Sequence, residues 1–265
     1  MASRSFLLIA TLAALGLGGS VAAGEVPVAP AACPAAGVAA DRVGKALDGD
    51  TLGLADGRVV RLAGIEAPKG PGGGLAEAAR AALAGLAEGQ AVGLAPASPD
   101  PDRHGRVHAF LFLGAATSLQ SELVKAGWAR VHVVPGEAAC ATALLADEAA
   151  ARTAGRGLWA SHDYAIRKAD DPSLLDQIGL YELVEGRVVS VGRGSRLVFL
   201  DFGRDWRRDF TVMVDAAAAA GLAKAGMAVD SLAKRRVRVR GIIEDNNGPA
   251  MRIGEPAAIE LLDAK

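Results

Sequence analysis

Aromatic side chains are scarce in this chain of 265 residues, at 4%. A core must therefore be built from Val, Leu and Ala, with few large anchors. An excess of charge of either sign is also missing, since 29 Lys and Arg face 30 Asp and Glu. That balance excludes global steering toward polyanions but leaves room for a local basic site. Long apolar runs are missing after the N-terminus, which excludes a polytopic membrane protein. With only two cysteines there is no cysteine cluster for zinc. No Ser-His-Asp arrangement and no phosphate-cradling glycine loop with its lysine is present. What is abundant is apolar residue, 51% of the chain, which excludes disorder throughout. At roughly 100–200 residues per domain, the length fits one large domain or two small ones.

The first 23 residues read as an export signal. Arg4 is the charged flank, Phe6 to Gly18 is the apolar run, and Ser20-Val21-Ala22-Ala23 ends in small residues. Cleavage is expected after Ala23, which leaves a periplasmic or secreted protein without stable membrane insertion. A retained anchor is the alternative, because Phe6 to Gly24 carries no charge. Residues 24–40 form a Pro/Ala-rich lead-in expected to be disordered. In an exported chain Cys33 and Cys140 are expected to pair; two free thiols are the alternative.

From Arg42 the pattern turns to strands. Arg42 to Leu47, Asp50 to Ala55 and Arg58 to Ala63 are separated by Asp48-Gly49 and Asp56-Gly57, the second a strong hairpin signal. Leu75 to Ala87 has helical spacing, Gln90 to Ala95 and Arg106 to Leu113 read as strands, and Ser118 caps a helix over Leu119 to Ala126 that stops at Gly127. Trp128 to Val134 reads as a short strand and Glu137 to Thr153 as a helix. Five short strands with intervening helices suit a small Greek-key barrel over residues 41–160. Residues 161–179 are polar and read as a linker. Residues 180–265 read as a second, smaller five-stranded barrel, with a turn at Gly192-Arg193-Gly194 and a helix over Asp215 to Ala225. The fold class is mainly β with helices, α+β.

Three segments carry chemistry. They are Leu47-Asp48-Gly49-Asp50-Thr51, Val60-Arg61-Leu62-Ala63-Gly64-Ile65-Glu66-Ala67-Pro68, and Asp102-Arg103-His104-Gly105-Arg106. With the helix end Ser121 to Gly127 and the closing Gly155-Arg156-Gly157-Leu158-Trp159, they resemble the staphylococcal-nuclease-like family, the thermonucleases, from about Arg42 to Trp159. The resemblance implies an OB barrel with helices and Ca²⁺-dependent hydrolysis of DNA and RNA phosphodiesters. It implies that Asp50 and Glu66 are metal carboxylates, that Ala67 offers its backbone carbonyl to the metal, and that Arg61 and Arg106 grip the reacting phosphate. A hard cation takes oxygen ligands, and guanidinium forks suit phosphate oxygens.

The chain departs from that pattern at Lys69, where the family places the Glu that activates or positions the attacking water. A Lys with an ordinary pKa near 10.4 is a poor base near neutrality. Glu66 is a second departure, since the family usually has Asp there. Asp48 and Glu77 are the nearest carboxylates that would rescue the chemistry; ordinary surface charge is the alternative for both. In the C-terminal part, Trp206 and the strand face carrying Arg236, Arg238 and Arg240 are candidates for nucleic-acid binding. A polar strand face with acidic partners is the alternative. These readings imply an exported Ca²⁺-dependent nuclease-like protein, weakened at Lys69, with DNA or RNA as substrate. The alternative is a catalytically impaired module of the cell envelope that binds nucleic acid or another anion. A third reading is an envelope interaction protein with no nucleic-acid role.

Overall fold

The structure, a computed structural model, describes residues 40–70, 74–114, 117–135, 137–205 and 207–263. The export signal, Cys33 and Trp206 lie outside the described residues. The first half contains strands β1 (Ala40–Ala46), β2 (Thr51–Leu54), β3 (Val59–Leu62) and β4 (Ile65–Glu66), then helix α1 (Leu75–Ala87). Next come β5 (Ala91–Pro96), β6 (Val107–Leu113), β7 (Thr117–Ser118), α2 (Leu119–Ala126), β8 (Arg130–Val131) and α3 (Ala141–Thr153). Strands β3, β2, β1, β5 and β6 pair in that order, and a parallel β3–β6 pairing closes the five-stranded barrel. Closure removes the free edges that an open sheet of this size would leave.

Local chemistry explains these elements. Gly57, at φ 91°, and Asp56, whose side chain accepts the Arg58 N–H at 3.0 Å, turn the β2–β3 hairpin. Ala79, Leu83 and Ala87 lie one helical turn apart and form the buried stripe of α1. Truncating Leu83, fully enclosed, to Ala would cost about 2–5 kcal/mol. Ser118 caps α2 by accepting the Ser121 N–H at 3.3 Å, and Gly127 ends the helix at φ 77°.

The second half contains β9 (Arg167–Lys168), β10 (Tyr181–Arg187), β11 (Ser190–Arg193), β12 (Leu197–Asp201), β13 (Thr211–Asp215), α4 (Ala216–Lys224), β14 (Arg236–Asp245), β15 (Pro249–Ile253) and β16 (Ile259–Leu261). They make one curled sheet of eight strands, where the sequence suggests a five-stranded barrel. Three strands account for the difference: β9, β15, and a third that arises because the run over residues 183–191 divides between β10 and β11. β9, inside the segment that reads as a linker, pairs with β10, and β15 pairs with β13. Leu174, in the same segment, is fully buried. Gly192 and Arg193 belong to β11, so the β11–β12 turn lies just beyond them. Buried apolar residues of the barrel and of the second sheet form one continuous cluster. Among the described residues, no helix is long and apolar enough to cross a membrane.

Candidate functional site

The turn from β1 to β2 builds the first part of the site. Asp48 accepts the Asp50 backbone N–H at 2.8 Å, and the Leu47 N–H reaches the Thr51 carbonyl at 2.8 Å. Gly49 is required by close packing, since a Cβ there would stand 2.6 Å from Ala67 Cβ and 2.7 Å from Ala79 Cβ. The turn is thereby pressed onto the loop after β4 and onto α1. Asp50 is 0% exposed, so its charge needs partners. Its Oδ1 accepts from Thr51 Oγ1 and from Lys69 Nζ, both at 3.0 Å. Its Oδ2 accepts the Ala67 N–H at 3.0 Å and lies 3.6 Å from Arg61 Nη2.

Lys69 thus occupies the centre of the cluster, 3.0 Å from Asp50 and 3.5 Å from Asp48, with its side chain 44% exposed. Burial pushes the Asp48 carboxyl up, but the Asp50 N–H and the Lys69 ammonium outweigh it and hold the group below the usual carboxylate range. Two carboxylates and two cations cancel there. Glu77 is not part of the cluster; its exposed carboxylate is held by Arg80 at 2.8 and 2.5 Å.

Strand register places the next groups. Arg61 of β3 is paired across the closing seam with His108 of β6. Arg106, the residue before β6, shares the Asp102 carboxylate with His108, the residue paired with Arg61. Each arginine already has a carboxylate. Arg106 donates to Asp102 at 2.8 Å through Nε, and its Nη2 lies 2.7 Å from the same oxygen. His108 contacts Asp102 at 3.3 Å through Nε2 and Glu137 through Nδ1. Burial is the largest single influence on the Asp102 carboxyl and raises it, but the bonds from Arg106, His104 and His108 together outweigh it and hold the group far below the usual range.

Glu66 faces away from Asp50 in partnership. It sits opposite Arg130 in the β4–β8 pair, and its Oε2 accepts Arg130 Nε at 3.1 Å and Nη2 at 3.0 Å. Arg130 lies 5.3 Å from the Tyr164 ring centroid and 5.1 Å from that of Tyr181.

Residues 59–161 match the family model of the staphylococcal nuclease homologues. The segment covers less than half of the chain and contains Arg61, Glu66, Lys69 and Arg106, whereas Asp50 precedes it. No curated protein matches the chain. The nuclease-homologue segment supports a nuclease-type domain that binds nucleic acid. Calcium takes about six to eight oxygen ligands, and the residues present do not fit that demand. Asp50 spends both oxygens on N–H and ammonium donors, Glu66 is held by Arg130, and an ammonium stands against Asp50. Among the described residues, no group of three or more His, Cys, Asp and Glu is placed to hold a metal ion. Asp50 and Glu66, suggested as metal carboxylates, thus have other partners here, and the backbone N–H of Ala67, whose carbonyl was suggested for the metal, donates to Asp50.

The strand face suggested for nucleic-acid binding needs correction. Arg236, Arg238 and Arg240 do share a face of β14, which is covered at Arg240 and partly at Arg238, while Arg236 stays exposed. Arg240 is 1% exposed and bonds Glu148 at 3.1 and 2.8 Å and Glu260 at 2.5 Å. Arg238 bonds Glu185 at 2.8 and 2.6 Å and Glu260 at 3.1 Å, and Arg236 lies 3.7 Å from Glu185. These cations are committed to acidic partners. Sequence reasoning missed Arg130, Glu137 and Glu148. Glu148 was legible, because it occupies the buried stripe Ala141, Leu144, Glu148, Ala151 of α3.

Proposed function

We propose that this protein is a nuclease-derived module that binds nucleic-acid phosphates weakly, independently of calcium, and hydrolyses them poorly or not at all. The observation that carries the reading is Lys69 Nζ at 3.0 Å from the buried Asp50 carboxylate. An internal ammonium supplies the positive charge that a bound cation would bring, and at closer register than a divalent ion could share with it. It also removes the general base, since a protonated Lys has no lone pair to accept a proton. Loss of a general base typically forfeits about 10²–10⁴-fold in rate. What remains is an exposed ammonium that shares the Asp50 carboxylate with Arg61; Arg103 and His104, in the loop before Arg106, are exposed as well. Such a patch engages a phosphodiester through charge-assisted bonds without activating water against it. Export to the periplasm or beyond belongs to the same reading, as does a Cys33–Cys140 disulfide.

The test is fluorescence anisotropy of labelled single-stranded DNA with the full chain, in EDTA and in Ca²⁺, at 50 and 200 mM salt. Binding that is equal in EDTA and Ca²⁺ and falls with salt supports the reading. Binding or cleavage that needs Ca²⁺ would restore the nuclease reading, and no binding under any condition would leave an interaction module without a nucleic-acid role.

A further inference from the structure

The second sheet has an outward face that breaks its own pattern. Along β12 and β13, Leu200, Val212 and Val214 turn to the core and are fully buried, so the alternate positions should be polar. Instead the register lines up Gly192, Phe199 and Met213 across β11, β12 and β13, with Ser190, Asp201, Thr211 and Ala250 in the neighbouring row. These rows floor a cleft of about 490 Å³, whose far wall is Asn246 and Asn247 of the β14–β15 hairpin and whose rim carries Arg193. That volume falls in the usual range for small-molecule sites, about 300–1,000 Å³.

Two further features point to a planar occupant. Phe199 is flanked by glycines on the adjoining strand. A Cβ at Gly192 would rest on Phe199 Cβ at 3.8 Å, and one at Gly194 would press on the ring at 3.0 Å. Their absence keeps the ring uncovered. Polar groups of mixed character meet the apolar floor at one side. Asp201 uses one oxygen, Oδ2, for Ser190 Oγ at 3.0 Å, and Asn246 gives its amide to Met213 sulfur at 3.1 Å. An aliphatic ligand would strand these groups, whereas a heteroaromatic ring satisfies them along its edge while stacking on Phe199.

We infer that this cleft is a nucleobase site, with Phe199 as stacking platform and Asp201 accepting N–H donors from the base edge. A guanine edge, with two adjacent N–H donors, matches a carboxylate best. The site is separate from the Lys69 cluster and does not rest on the reading proposed for it. The shared chemistry belongs to a free nucleotide or to a base within a strand.

The experiment is calorimetric titration of the full chain with GMP, ribose 5-phosphate and a short single-stranded oligo-dG, repeated with Phe199→Ala and Gly192→Leu. The second variant covers the ring without removing it, and thermal unfolding checks that each variant folds. Expected is binding of GMP but not of ribose 5-phosphate, weakened roughly 5- to 100-fold by Phe199→Ala and similarly by Gly192→Leu. Oligonucleotide binding that is tighter than that of GMP and is weakened by Phe199→Ala identifies a strand as the source, and equal binding identifies a free nucleotide. No binding of GMP or oligo-dG, binding of ribose 5-phosphate equal to that of GMP, or binding untouched by both variants overturns the inference. Guanosine, which offers no phosphate to the Lys69 cluster, is expected to bind about as GMP does, which separates failure here from failure of the Lys69 reading.

Discussion

Arg240 of the second sheet and Glu148 of the barrel's helix α3 form a two-point ion pair in which both side chains are fully enclosed. Glu148 also accepts the Val131 N–H at 2.8 Å, and Arg240 also donates to the Val131 carbonyl at 3.1 Å. Tyr181 adds a second tie, accepting the Val133 N–H at 3.0 Å and donating to Val131 at 3.2 Å. The two sheets, which share one continuous apolar cluster, are therefore also fastened at β8 by a buried polar knot. Burial pushes the Tyr181 phenol up to about 12, so it remains a neutral donor across the physiological range.

Removing one member of this knot strands the other. Glu148→Gln is expected to destabilise the protein by about 3–5 kcal/mol, read by chemical denaturation. The pH dependence has a definite sign. Burial raises the Glu148 carboxyl, but Arg240 outweighs it and holds the folded value below the ordinary 4.5. Its contribution is therefore complete above that value and is lost as pH falls through the folded value. The wild-type melting temperature is expected to drop on acidification below pH 4.5, with a shallower drop in Glu148→Gln.

Cys140 is buried at the start of α3, and its expected partner Cys33 lies outside the described residues. A Cys33–Cys140 bond would close a loop of about 100 residues, worth up to roughly 4–5 kcal/mol on chain-entropy grounds. Periplasmically expressed protein is expected to show no free thiol under denaturing, non-reducing conditions and two after reduction. Two free thiols before reduction would contradict the pairing.

Gly127 joins the end of α2 to the closing Gly155–Trp159 segment. At φ 77° it is in the left-handed region, its carbonyl accepts the Leu158 N–H at 2.8 Å, and a Cβ would meet the Arg156 carbonyl oxygen at 2.2 Å. Gly127→Ala is expected to cost at least about 1–3 kcal/mol from conformation alone, with further loss from the clash. Denaturant unfolding that leaves the midpoint unchanged would mean the closing segment is not docked there.

Much of this architecture was legible because local signals agreed with the tertiary outcome. Helix α1 matches its periodicity over Leu75–Ala87, and α2 begins at the Ser118 cap and stops at Gly127. The short strand read over Trp128 to Val134 shrinks to Arg130–Val131, because among the described residues β8 pairs with the two-residue β4 alone. The second sheet was mis-sized for a different reason. β9 joins it through a parallel pairing to β10 that leaves no local pattern, and β15, a hairpin partner of β14, also pairs with the distant β13. The same gap explains Arg240. Alternation along β14 identifies its face but does not tell whether water, a phosphate or Glu148 covers it. At the Asp50 cluster, Lys69 was conspicuous as a departure, while the partner that Glu66 takes, Arg130, depends on the β4–β8 pairing.

The most direct test of the account is a calcium titration of wild type and Lys69→Glu by calorimetry, with cleavage of single-stranded DNA measured in the same samples. The account predicts no Asp50-dependent calcium site in the wild type. In Lys69→Glu it predicts a new site that Asp50→Ala abolishes, with cleavage rising by at most about 10²–10⁴-fold. Calcium binding and efficient cleavage by the wild type, both lost in Asp50→Ala, would contradict it and show that Lys69 yields its place to the metal.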